Sequence, residues 1–243
     1  MRFALFCLLT ALIFPMNVSS EEIHVLSGGA AKSFVEPLAA SFPGHTVKLE
    51  YQTMGHLVQT MGGAEGARYD MVVATPEVLE KLRYKNGRPL ARVGIGVAVN
   101  EKAPLPDIST PAALKKTLLA AKSVVHINPE TGTSGKYVVE MFRKLNILDE
   151  MKGKTTLVDS GYAVAPVGRG EVELGIHQIS EILPVKGVRL VGPLPAEFQR
   201  YTVYAGAPVP GTGKSQAVSE LLEYLTSPGA RAGLLKAGYT APE

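Results

Sequence analysis

A glycine pair at the end of a buried strand, followed within four residues by a lysine and a serine, is the part of this chain best suited to hold an anion. The segment IHVLSGGAAKSFVEPLAASF, residues 23–42, predicts a strand, a tight Gly28-Gly29 turn and an amphipathic helix. Glycines let the backbone N–H groups of such a turn approach a ligand, and the helix behind it adds unsatisfied donors and the positive end of its dipole. Lys32 and Ser33 then place an ammonium and a hydroxyl in the first helical turn. A close-packed turn with no ligand is the competing reading.

Other motifs fail on spacing. Gly211 to Ser215, GTGKS, ends like a phosphate loop, but the leading glycine position holds Pro208. Nucleotide binding is therefore not expected. In Gly132 to Gly135 no residue separates Ser134 from the second glycine, so a nucleophile elbow is excluded. Gly94 and Gly96 lie within an expected strand, with no helix opening after them as a dinucleotide fingerprint needs. Glu171, Glu173 and Glu181 have no histidine pair beside them, so no metal and no cofactor are expected.

The elements that must position such a site alternate along the chain. Residues 45–53, 69–75, 91–100, 123–129, 172–182 and 201–209 carry strand patterns, with 91–100 long enough to cross between lobes. Residues 54–64, 76–84, 110–121, 134–147 and 161–170 carry helical ones, and 214–239 holds two helices split by Ser227-Pro228-Gly229. This order predicts an α/β protein with mostly parallel sheets. Arg2, the apolar run FALFCLLTALIF and the small residues Val18, Ser19 and Ser20 predict a cleaved secretory leader over residues 1–20, too short to span a membrane. The single cysteine, Cys7, falls inside it, so thiol catalysis and cysteine-bound zinc are excluded from the mature chain. The net charge of +3 is spread along the chain, which argues against a nucleic-acid face.

Six segments in sequence give the chain a family likeness: the opening strand, loop and helix; Thr53-Met54-Gly55; GARYDMVVAT; PETGTSGKY; GRGEVELGI; and SELLEYLTSPGARAGLLKAGY. In their order and spacing it resembles a periplasmic solute-binding protein of the molybdate-binding type. The resemblance implies a type II periplasmic binding fold, with a ligand clamped between two lobes. One lobe would hold residues 21–98 and 206–243 and the other 99–205. It also implies a periplasmic monomer that delivers a small anion to the membrane permease of an ABC transporter.

The family's oxyanion cage is departed from at three places. Ala30 and Met54 stand where the resemblance implies serines, and Gln178 where it implies a tyrosine. Molybdate would lose three hydroxyl partners, each charge-assisted bond being worth roughly 1.5–3 kcal/mol. The remaining inventory of Lys32, Thr53, Thr133, Ser134, Lys136, Ser160, Gly161, Tyr162 and Gln178 suits a polycarboxylate, with Met54 against its carbon skeleton. Ser134 and Ser160 also suit helix capping.

Some proteins resembling this scaffold are aconitate isomerases, which need one base and firm anion clamps. Candidate bases are Lys32, His177, Tyr162 and His56, while His126 suits a backbone hydrogen bond at a strand end and His24 and His45 suit structural or exposed positions. Strand alternation would turn His177 away from Gln178 into packing between layers. Solute capture is placed ahead of isomerisation, because no base is fixed by the sequence.

Overall fold

A computed structural model describes residues 20–242, so the expected leader, apart from its last position, lies outside the described residues. One half of the sheet is built on β1 (Glu22–Gly28), β2 (Thr46–Gln52) and β3 (Met71–Ala74), where β1 runs parallel to both neighbours. The other half is built on β5 (Val124–Ile127), β6 (Thr155–Val158) and β7 (Leu174–Gln178), with β5 parallel to β6 and β7. Two further strands, β4 (Arg88–Asn100) and β9 (Tyr201–Pro208), lie between these groups, giving the order β2-β1-β3-β9-β4-β7-β5-β6. The short strands β8 (Val188–Pro193) and β10 (Tyr239–Thr240) also pair with β4.

All antiparallel pairings among the described residues involve β4 or β9, so the sheet is mixed at its centre and parallel toward its flanks. β4 belongs to both halves: Arg88–Gly94 pairs with β9, and Ile95–Val99 pairs with β7. Its side chains divide at the same point. Leu90, Ala91 and Val93 pack with Val25, Phe34 and Leu221, whereas Ile95, Val97 and Val99 pack with Leu114, Phe142 and Ile176. Gly96 is required beside this divide, because a Cβ there would lie 2.8 Å from Leu190 Cδ1 and 3.0 Å from the Gly192 carbonyl oxygen.

Helices cover both faces. α1 (Lys32–Ala40) and α9 (Ser215–Leu225) bury Phe34, Val35, Leu221 and Leu222 against the first half. α2 (Met54–Gly62) and α3 (Pro76–Lys81) cover its other face through Leu57 and Leu79. In the second half α4 (Pro111–Ala120), α5 (Thr133–Lys144) and α6 (Leu148–Lys152) bury Leu114, Leu118, Phe142 and Met151. α7 (Ala165–Gly168) and α8 (Ile179–Ile182) place Val167 and Ile182 on the opposite side, and α10 (Pro228–Ala232) adds Ala230 to the first core. Each of these Leu, Ile, Val, Phe and Met side chains contributes roughly 1.5–3 kcal/mol by leaving water, so the two cores, not helix propensity, hold these mostly short helices. Among the described residues no helix is long and apolar enough to cross a membrane.

Candidate functional site

The carboxyl ends of β1, β2, β5, β6 and β7 converge on one cavity of about 330 Å³. Ligands of open α/β sheets bind outside those strand ends, where the backbone leaves the ladder and its N–H groups become available. One wall carries Gly29, Ala30, Lys32, Tyr51, Gln52, Thr53, Met54 and Tyr204 from the first half of the sheet. The facing wall carries Ile127, Gly132, Thr133, Ser134, Ser160, Gly161, Tyr162, His177, Gln178 and Glu181.

Three helices open at this cavity without a side-chain cap. α1 is preceded by a 3₁₀ turn, Gly29–Ala31, that has no capping side chain, and α5 starts behind Gly132. Thr53 occupies the capping position of α2, yet its hydroxyl lies 3.2 Å from His56 Nδ1 and caps nothing. Away from the cavity Thr75, Thr110 and Ser227 each cap their helix, whereas α6 and α9 start without a side-chain cap there as well. Uncapped amides facing a cavity favour a bound anion. Lys32 adds the cationic charge of the wall, its ammonium 5.2 Å above the Tyr51 ring and 3.9 Å from Glu36. The Tyr51 hydroxyl is buried with no hydrogen-bond partner, and burial pushes its ionisation well above the usual phenol range. It is an unused donor on the same wall.

His177, 2% exposed, has both ring nitrogens engaged, with Nδ1 3.2 Å from Ser134 Oγ and Nε2 3.1 Å from Glu181 Oε2. The Ser134 hydroxyl therefore turns to the imidazole instead of capping α5. Burial pushes the Glu181 carboxyl up to about 8 and the His177 imidazole down to about 4, the latter only partly offset by the Gly161 carbonyl. Desolvation of both groups disfavours their charged forms, so the contact is not a fixed ion pair. Nε2 also lies 3.5 Å from the Gly161 carbonyl, which can only accept, so the neutral imidazole is assigned its proton on Nε2, and Nδ1 accepts from the Ser134 hydroxyl.

Several sequence candidates stand elsewhere. Gly28 lies behind the wall, where a Cβ would meet Met54 Cε at 2.2 Å. The Ser33 hydroxyl donates to the Ser180 carbonyl at 3.2 Å and meets the Tyr239 hydroxyl at 3.1 Å. Lys136 is exposed on α5 and, like His56, is not part of the cavity wall. Gln178 lines the wall, but its amide donates to Thr202 at 2.8 Å and its carbonyl accepts from Tyr204 at 3.1 Å. His126 is buried, donates from Nδ1 to the Ile127 carbonyl at 2.7 Å and is held below the usual imidazole range by burial. His24 lies 3.0 Å from Glu22, and His45 is 3.2 Å from Glu220. In GTGKS, Lys214 and Thr212 bind the Asp70 carboxylate at 2.9 and 2.8 Å, so that loop clasps β3 to the end of β9.

Sequence reading missed Tyr51, Gln52, Tyr204 and, most consequentially, Glu181. The expected strand over 172–182 ends at Gln178, and the chain turns into α8, which folds Glu181 back onto His177 four residues earlier. The HQISE spacing carried that signal only under a helical reading. Among the described residues no group of three or more His, Cys, Asp or Glu is arranged to hold a metal ion.

A two-part α/β sheet with a cleft at its strand ends defines a type II periplasmic binding fold. The chain belongs to the bacterial extracellular solute-binding protein family, which it matches over residues 23–240. The periplasmic molybdate-binding protein of Azotobacter vinelandii shares the fold with a TM-score of 0.74 at 18% identity, covering 91% of this chain and 100% of that one. The sulfate-binding protein SubI of Mycobacterium tuberculosis does so with a TM-score of 0.73 at 15% identity, covering 92% and 88%. An aconitate isomerase of a Pseudomonas species is 34% identical over 163 residues, which is 67% of this chain and 60% of that protein. The chain is thus a bacterial extracellular solute-binding protein with the fold shared by these molybdate- and sulfate-binding proteins.

Proposed function

We propose that the cleft binds a small unsaturated polycarboxylate and shifts a proton along its carbon chain, the aconitate isomerase reaction, in the periplasm and without a cofactor. The observation that carries this reading is the Glu181–His177 pair at the wall of a cleft otherwise built of anion donors. An anion receptor gains nothing from an ionisable acid on the wall of its cleft, since the charged form repels the ligand. Proton transfer at carbon requires such a group. The added charge of a dienolate would be met by Lys32, the uncapped amides of α1, α2 and α5 and the free Tyr51 hydroxyl. Met54 offers an apolar surface to the carbon skeleton. The similarity to an aconitate isomerase supports the assignment.

The second reading is capture of a polycarboxylate for an ABC permease by a monomer. It is favoured by the contact across the cleft mouth, where the Gly55 N–H donates to the Thr131 carbonyl at 3.5 Å, as a closing clamp would. In either case we place the hinge where β4 changes partners, between Gly94 and Ile95. Incubation of the purified protein with trans-aconitate in deuterated buffer, followed by proton NMR, separates the two. Formation of cis-aconitate supports the isomerase. Thermal stabilisation by the tricarboxylate without turnover supports capture and rejects the isomerase.

A further inference from the structure

We propose that Glu181 is the catalytic base of this isomerisation, taking a proton from one allylic carbon on Oε1 and returning it to the other, with His177 and Ser134 as positioning residues. The inference rests on the isomerase reading. Among the described residues Glu181 is the one acidic side chain on the cavity wall. Its Oε2 is tied to His177, while Oε1 has no hydrogen-bond partner among those residues. Gly29 gives that oxygen space: even a Cβ added there would stand 3.5 Å from Oε1.

The other candidates are engaged or displaced. His177 has Nδ1 at Ser134 and Nε2 at Glu181, leaving no free nitrogen for a substrate. His56 is off the wall and tied to Thr53. Lys32 is held between the Tyr51 ring and Glu36, where its charge serves the anion. Tyr162 stands at the rim, 39% exposed, whereas the Glu181 side chain is 12% exposed.

In the step itself Glu181 acts in its ionised form, while the neutral imidazole keeps its own Nε2–H beside Oε2. The methylene C–H bond breaks, its proton passes to Oε1, and the electron pair delocalises through the double bond onto the adjacent carboxylate. The proton on Oε1 then forms the new C–H bond at the far allylic carbon as the double bond shifts. Nothing is oxidised or reduced, and no co-reactant enters. A carboxyl held by burial near 8 is matched to taking and giving a proton close to neutral pH.

The test compares wild type and E181Q for trans-aconitate turnover and for thermal stabilisation by trans-aconitate. The expected result is a fall in kcat of about 10³-fold with little change in KM and a retained thermal shift. Turnover by E181Q within tenfold of wild type overturns the assignment while leaving the isomerase intact. No turnover by wild type rejects the isomerase reading itself, and the base with it. Should E181Q not fold, E181D is read in its place: at least a tenfold loss of kcat with an unchanged thermal shift supports the proposal, and full activity overturns it.

Discussion

Asp70 and Glu181 are both withdrawn from water, Asp70 in the clasp between β3 and the end of β9 and Glu181 in the cleft. Desolvation acts to raise both. At Asp70 it is outweighed by the His24 N–H at 2.8 Å, the Lys214 ammonium at 2.9 Å and the Thr212 hydroxyl at 2.8 Å, and the carboxyl is held below the usual range. Glu181 meets one imidazole and no cation, and it rises to about 8. Burial is common to the two sites. The number and charge of the donors separates a structural carboxylate from one able to exchange protons. An under-partnered acid in a cleft is expensive to keep, which makes it informative about function.

The largest effect expected on this contrast is the loss of about 10³ in kcat in E181Q, against which D70N should leave kcat unchanged. D70N should instead cost about 2–3 kcal/mol of stability, because it strands Lys214 and removes charge-assisted bonds, with exposure of Lys214 tempering the loss. Thermal unfolding should register this as a fall in Tm of roughly 5–10 °C. A D70N protein with normal Tm and impaired turnover would reverse the roles given to the two carboxylates.

K32A comes next, with affinity for trans-aconitate expected to weaken by about 10- to 100-fold, as measured by calorimetry, while Tm of the free protein stays nearly constant. Unchanged affinity would remove Lys32 from the anion site. The pH dependence of stability should also have opposite signs. Asp70, held low, contributes stability that is present above the unfolded carboxylate value and is lost as pH falls through its folded value. Glu181, held high, contributes stability that is full below about 4.5 and is lost as pH rises toward 8. The Tm of E181Q relative to wild type should therefore increase between pH 5 and pH 9, and a constant difference would contradict a buried acid.

The smallest effect is expected from Y51F. Deleting a buried hydroxyl without a partner should leave stability unchanged or raise it by up to about 1 kcal/mol. Affinity for the polycarboxylate should fall a few-fold if that hydroxyl faces the ligand, and equal binding by Y51F would assign it to packing alone.

Much of this was legible in the chain. The strand ending at Gly28-Gly29, the helix opening at Lys32, the long strand that β4 became and the alternation of elements all follow from local periodicity, turn chemistry and composition. The wall positions of Ala30, Thr53, Met54, Ser134 and Tyr162 could be anticipated because they sit at strand–helix junctions whose order the sequence shows. What it could not show is any property that depends on distant neighbours. That the Ser134 hydroxyl turns to His177 instead of capping its helix, that Gln178 is committed to Tyr204 and Thr202, and that Lys214 reaches Asp70 are each decided by contacts spanning 24 to 144 residues of chain. Glu181 is the clearest case: its residue type is printed in the sequence, but its proton affinity arises from a chain reversal at Gln178 and from the water excluded when the two halves of the sheet meet. Local patterns set the elements because they act over a few residues. Charge and solvation at the cleft were set by the tertiary structure, because they depend on which partners folding brings within a few ångströms.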